Sequence, residues 1–159
     1  CEECQKAFRE WLKKKYGTLE NLNKAWWTAF WSHTYTSWDQ IEAPTDIGET
    51  CTNGLTLDWK RFTTYQTGDF IDNETAPLRE YTPDIPVTTN MVEPIYAPDY
   101  RELQKHVDVI SWDNYPEWHV RDDVYTATMS AFNHDVFRGL KHKPFMLMES
   151  TPSLVNWRE

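Results

Sequence analysis

The sequence predicts an α/β fold, part of a parallel (β/α) barrel, on three observations. Helical and strand-like patterns alternate along the chain, which argues for a parallel sheet covered by helices. Three short apolar or β-branched runs occupy the strand positions of that alternation. Each run leads into a polar residue: Asn90, Asp113 and Glu149. Right-handed crossovers place the C-terminal ends of consecutive parallel strands on one face. In a closed barrel, that face carries the chemistry. A complete barrel takes about 250 residues. The 159 residues therefore supply fewer than half of the eight units, plus a helical lead-in.

The lead-in is helical by spacing. Phe8, Trp11, Leu12 and Tyr16 fall at i, i+3, i+4 and i+8 of a helix over residues 4–16, and Gly17 stops it. Thr18 opens a second helix to about Trp26, with Leu19, Leu22 and Ala25 on one face. Residues 27–56 read as irregular and rich in aromatics, including Phe30, Trp31, Tyr35 and Trp38. A connection of that length in a compact domain is usually functional or packed on a neighbour.

A long helix is expected over residues 57–81, with Pro77 placed to kink or interrupt it. Residues 85–90 form the first strand. Pro98 and Asp99 open a short helix to about His106, and residues 107–112 form the second strand. A helix over roughly 121–138 is stopped by Gly139. Residues 143–149 form the last strand. Its apolar run, Phe145 to Met148, predicts burial, and its end delivers Glu149 just before Ser150, Thr151 and Pro152 break the element.

Composition narrows the function. The net charge is −9, and the only basic run, Lys13 to Lys15, reads as a solvated helix face. Nucleic acid is thereby disfavoured, because phosphate binding needs a positive surface. No apolar run approaches the length of a membrane span. Aromatic residues make up 15% of the chain, with nine Trp, a supply suited both to cores and to sugar rings. Three cysteines, Cys1, Cys4 and Cys51, form no regular disulfide framework. Cys1 and Cys4 have the spacing of half a zinc site. The five histidines lack ligand spacing and read as surface or packing residues. The chain opens on Cys1 and stops soon after the last strand, so a piece of a larger gene product is expected.

Four separated blocks carry a family resemblance. They are Cys1-x-x-Cys4-Gln5-x-x-Phe8-x-x-Trp11-Leu12; Leu22 through Ser32 with Trp26, Trp27, Phe30 and Trp31; Trp112-Asp113-Asn114-Tyr115-Pro116; and Met148-Glu149-x-x-Pro152-x-x-Val155-Asn156-Trp157. In this order they resemble the β-galactosidases of glycoside hydrolase family 42, over nearly all of the chain. The resemblance implies one catalytic (β/α)8 domain, of which residues 1–159 cover the region after strand four through strand seven. It implies hydrolysis of terminal β-D-galactosides with retention, in a cytoplasmic bacterial homotrimer with no organic cofactor.

By the same resemblance, Glu149 matches the nucleophile and Trp157 the Trp lining the galactose subsite. Trp31 matches a Trp that a neighbouring subunit lends to the active-site mouth. Cys1 and Cys4 match the last two of four structural zinc ligands found in some members. Asp113 and Tyr115 lie beside the site on the sixth strand. The acid/base Glu of the family falls upstream of residue 1.

A retaining mechanism needs two carboxyl groups about 5–5.5 Å apart. Glu149 is read as the attacking carboxylate, with Tyr115 as the first candidate to donate to it. Asp113 also ends a strand. It is read as a hydrogen-bonding residue for loops or a sugar hydroxyl, with the covalent role as its alternative. Asn90 is left outside the catalytic set, because strand-end Asn residues often just close turns. Two other functions stay open at this point. One is a non-catalytic carbohydrate-binding barrel. The other is the same chemistry on α-L-arabinopyranosides or β-fucosides.

Overall fold

The computed structural model describes residues 1–44, 52–94, 98–118 and 121–151. The chain forms two compact units, residues 1–63 and 64–159, and one long helix runs through the division.

The first unit is built from α1 (Glu2–Tyr16), α2 (Leu19–Trp26) and the opening turns of α3 (Asn53–Tyr81). Gly17 ends α1 at φ 72°, a conformation that a side chain disfavours. Thr18 caps α2 by accepting the Asn21 backbone N–H at 3.2 Å. The stretch after α2 holds 3₁₀ turns at Phe30–Ser32 and Trp38–Gln40. Phe8, Leu12, Leu22, Ile41 and Leu55 are buried together with Trp26, Tyr35 and Phe62. Trp59 meets Phe8 edge-on, ring centres 5.1 Å apart.

A buried carboxylate sits in this unit. The Asp58 side chain is only 1% exposed. It accepts from the Tyr16 hydroxyl at 2.6 Å, the Trp26 indole at 3.0 Å and the Arg61 guanidinium at 3.0 Å. Lys15 completes the set. Lys15 therefore departs from the solvated basic face expected for residues 13–15: its ammonium also lies 5.0 Å from the ring centres of Trp11 and Tyr16. Burial alone would raise the Asp58 carboxyl; the bonds from Lys15, Tyr16, Trp26 and Arg61 outweigh it and hold the group below its ordinary range. Burial, reinforced by Asp58, pushes the Tyr16 phenol up to about 12.

The second unit centres on a three-stranded parallel sheet in the order β1 (Asn90–Met91), β2 (Ser111–Asn114), β3 (Met146–Ser150). Two helices join the strands: α4 (Tyr100–Leu103), which a 3₁₀ turn extends to His106, and α5 (Asp123–Lys141). Trp112, fully buried, stacks on Phe137 of α5 with ring centres 5.0 Å apart. Met91, Tyr100, Leu103, Val107 and Ile110 complete this core. Among the described residues, no helix is long and apolar enough to cross a membrane.

Several boundaries differ from the sequence reading for identifiable reasons. The first two strands start later than the β-branched runs do. Pro86 has no N–H to give a ladder. Residues 87–89 instead make irregular bonds: the Val87 carbonyl accepts from both Asp108 and Val109, and the Thr88 hydroxyl reaches the Val109 carbonyl at 2.8 Å. The long helix begins at Asn53 and continues through Pro77, which stands in its closing turns. The helix α5 runs past Gly139 and ends at His142 in a left-handed conformation, φ 53°.

The expected burial of the last strand is corrected as well. Every residue of β3 is exposed, with Met146 at 48% and Leu147 at 41%. The strand pairs with β2 along one edge, and no described residue pairs with the other.

Replacing Asp58 by Asn should lower the unfolding free energy of the whole protein by about 3 kcal/mol, since it breaks a buried ion cluster. The carboxylate's contribution is present above the unfolded aspartate value of about 3.9 and is lost as pH falls through the lower folded value. Urea titrations at pH 7 and pH 3 check both points, because Asp58→Asn should lack that part of the acid-side loss.

Candidate active site

Parallel pairing carries the polar strand ends to one edge. Asn90 aligns with Ser111, and Asp113 follows two residues later on the same face of β2. Trp112 aligns with Leu147, but Asp113 aligns with Glu149, so the register slips by one residue between them. Two residues of β3, Met148 and Glu149, thus oppose one step of β2. In a regular ladder Met148 would face Asp113, and Glu149 would point to the opposite side of the sheet. The bulge brings the carboxylate onto the polar face.

The side chains meet there. The Asn90 amide nitrogen donates towards Asp113, at 3.0 Å from Oδ1 and 3.1 Å from Oδ2. The same nitrogen is 3.3 Å from Glu149 Oε1. The Tyr115 hydroxyl donates to the other oxygen, Glu149 Oε2. Asn90, Asp113, Tyr115 and Glu149 thus form one hydrogen-bonded cluster.

Beneath the cluster the backbone is fixed by hydroxyls. The Ser111 hydroxyl, fully buried, donates to the Thr89 carbonyl at 2.8 Å and lies 2.9 Å from the Thr88 hydroxyl. On the exit from β1, the Tyr100 hydroxyl donates to the Val92 carbonyl at 2.8 Å and accepts the Val92 N–H at 2.7 Å. Burial pushes the Tyr100 phenol above its ordinary range; its bond with Val92 offsets part of this and the Asp113 charge adds to it.

Of the residues singled out from the sequence, Asp113, Tyr115 and Glu149 are brought together. Asn90, expected only to close a turn, is the common partner of the two acids. Its position at a strand end was the available signal. Trp31 lies on the 3₁₀ turn at φ 53°, 69% exposed and tilted against Phe30 at 4.8 Å. Cys1 and Cys4 lie at the start of α1, both exposed, with their sulfur atoms 3.3 Å apart. Both are thiols one helical turn apart, the ligand type that zinc takes. Among the described residues no third ligand joins them. Trp157 and Cys51 lie outside the described residues.

A strand-end carboxylate with its own phenol donor, beside a second acid on a parallel sheet, suits an α/β enzyme that works through carboxyl groups. The comparisons narrow it. The family model described as β-galactosidase, glycoside hydrolase family 42, matches residues 1–159, and the chain belongs to that family. β-Galactosidase GalA of Bacillus licheniformis is 53% identical over 169 residues, covering 100% of this chain and 25% of the relative. β-Galactosidase GanA of Bacillus subtilis is 54% identical over 167 residues, covering 99% and 25%. Among solved structures, the cold-adapted β-galactosidase of Rahnella sp. R3 superposes with a TM-score of 0.94 at 52% identity, covering 99% of this chain and 24% of that one. Gan42B, a family 42 β-galactosidase of G. stearothermophilus solved as a catalytic mutant, gives 0.92 at 54% identity, covering 100% and 25%. The chain therefore spans about a quarter of the length of these relatives.

Replacing Tyr100 by Phe should destabilise the whole protein by about 1 kcal/mol, because one hydroxyl serves both polar groups of Val92. Chemical denaturation of the variant checks the value.

Proposed function

We propose that residues 1–159 form part of the catalytic barrel of a retaining β-galactosidase, with Glu149 as its nucleophile. The observation that carries this reading is the cluster at the sheet edge. Glu149 is exposed, its carboxylate is held at both oxygens, and a phenol donates to one of them. That arrangement suits an ionised carboxylate poised to attack. The names of the relatives, all β-galactosidases, support the substrate class. In this reading the three strands are the fifth, sixth and seventh of the barrel.

The chemistry proceeds in two displacements. Glu149 bonds to the anomeric carbon as the bond to the leaving oxygen breaks, and a second carboxyl, contributed from upstream of residue 1, protonates that oxygen. The same carboxyl then takes a proton from water, which displaces Glu149 with retention. Asp113 binds a sugar hydroxyl. Trp157 stacks on the apolar face of galactose. Cys1 and Cys4, with two further thiolates from outside this chain, hold a structural zinc that ties down the start of α1.

The complete enzyme is proposed to be a cytoplasmic bacterial homotrimer, in which the exposed Trp31 reaches the active-site mouth of a neighbour.

In the complete enzyme, Glu149→Gln should reduce kcat for aryl β-galactosides by at least about 10³-fold. Activity within a few-fold of wild type would end the assignment. Trp31→Ala should raise KM several-fold while the fold persists. An unchanged KM would remove the shared-site proposal and leave Glu149 untouched.

A further inference from the structure

Asn90 is an uncharged member of the cluster, and its amide nitrogen stands within hydrogen-bonding distance of both carboxylates. That nitrogen carries two protons. One serves Asp113 and the other Glu149. The bond to Glu149 is the longer, 3.3 Å against 3.0 and 3.1 Å, and falls on the oxygen that Tyr115 does not take. Asn90 itself is exposed, so this contact is not a product of core packing.

We propose that Asn90 is a positioning residue for the second displacement, stabilising the Glu149 carboxylate as it leaves the sugar. The proposal rests on the reading of Glu149 as the nucleophile. A hydrogen bond to a carboxylate is stronger than one to a neutral ester. In the free enzyme the bond falls on the attacking carboxylate. In the glycosyl-enzyme the charge is consumed, the bond weakens, and Asn90 remains tied to Asp113. When water attacks the anomeric carbon, the bond to Glu149 breaks and its electron pair returns to the carboxylate. The proton of the water passes to the second carboxyl group. Asn90 donates to the charge as it develops, which lowers this barrier. In the first displacement the same bond holds the starting carboxylate at least as well as the transition state. Losing it there costs little.

The test uses the complete enzyme with Asn90→Ala and Asn90→Asp, the latter matching the volume of Asn. The first readout is steady-state hydrolysis of 2,4-dinitrophenyl β-D-galactoside, whose phenolate leaves without a proton. The second is the reactivation rate of enzyme trapped with 2-deoxy-2-fluoro-β-D-galactosyl fluoride. Both variants should reactivate about tenfold more slowly, the scale of one hydrogen bond to a charged group. Their kcat should fall by a similar factor and KM with it, leaving kcat/KM within about threefold of wild type. Reactivation within twofold of wild type overturns the proposal. So does a loss of kcat/KM as large as the loss of kcat, which marks a merely structural role. Peptide mass analysis of the trapped wild-type enzyme separates this from the underlying assignment. A sugar found on a residue other than Glu149 removes the nucleophile reading, and the role of Asn90 falls with it.

Discussion

The rest of the second unit depends on the parallel pairing of β2 with both of its neighbours. Parallel strands end at a common edge, so whatever polar residues close them are forced into one another's company. Here the residues so gathered include two acids, Asp113 and Glu149. Two like charges at one edge repel. The structure answers with donors from each side: the Asn90 amide from β1 and the Tyr115 hydroxyl from just beyond β2. Below them, the buried Trp112 on Phe137 fixes the height of β2 and thereby of Asp113. Ser111 and the hydroxyls of the β1 approach hold the neighbouring backbone without exposing a buried polar group. Packing on one face of the sheet and hydrogen bonding on the other are thus consequences of a single topological choice.

The alternation of elements was legible because each has a local cause. Gly17, Thr18 and Asp99 punctuate the chain where the helices stop and start. The grouping of three strand ends on one edge followed from the handedness of crossovers. Other features were beyond local reading. The β-branched run at 85–89 looks like a strand, but Pro86 and the side-chain bonds of Thr88 and Asp108 divert it. His142 takes a left-handed cap that composition would assign to Gly139. The apolar run ending at Met148 has the composition of a buried strand, and among the described residues nothing covers it. Asn90 gave no signal beyond its place in the pattern, because its importance lies in partners 23 and 59 positions away.

The first unit meets a similar electrostatic problem by a different route. Asp58 is buried, and an isolated buried carboxylate would be unstable. A cation on α1, a phenol, an indole and a guanidinium together satisfy it, drawing α1, α2 and the start of α3 onto one point. The aromatic residues around it have a dual task, filling volume and supplying N–H or O–H groups. Phe in place of Tyr16 or Trp26 would remove one of the four donors to the carboxylate. A count of aromatics cannot reveal that distinction.

The single-residue slip in register opposite Asp113 behaves like a parity check on the last strand. Side chains alternate sides along a strand, so the slip between Leu147 and Glu149 decides the side on which Glu149 emerges. Removing Met148 would close the bulge and leave Glu149 opposite Asp113 in an unbroken ladder, whereas a regular ladder that kept Met148 would send Glu149 to the other side of the sheet. The alignment of Glu149 therefore depends on the slip, which absorbs the one residue by which β3 exceeds β2 across that step. One unpaired residue in the last strand thus sets which face of the sheet carries the carboxylate.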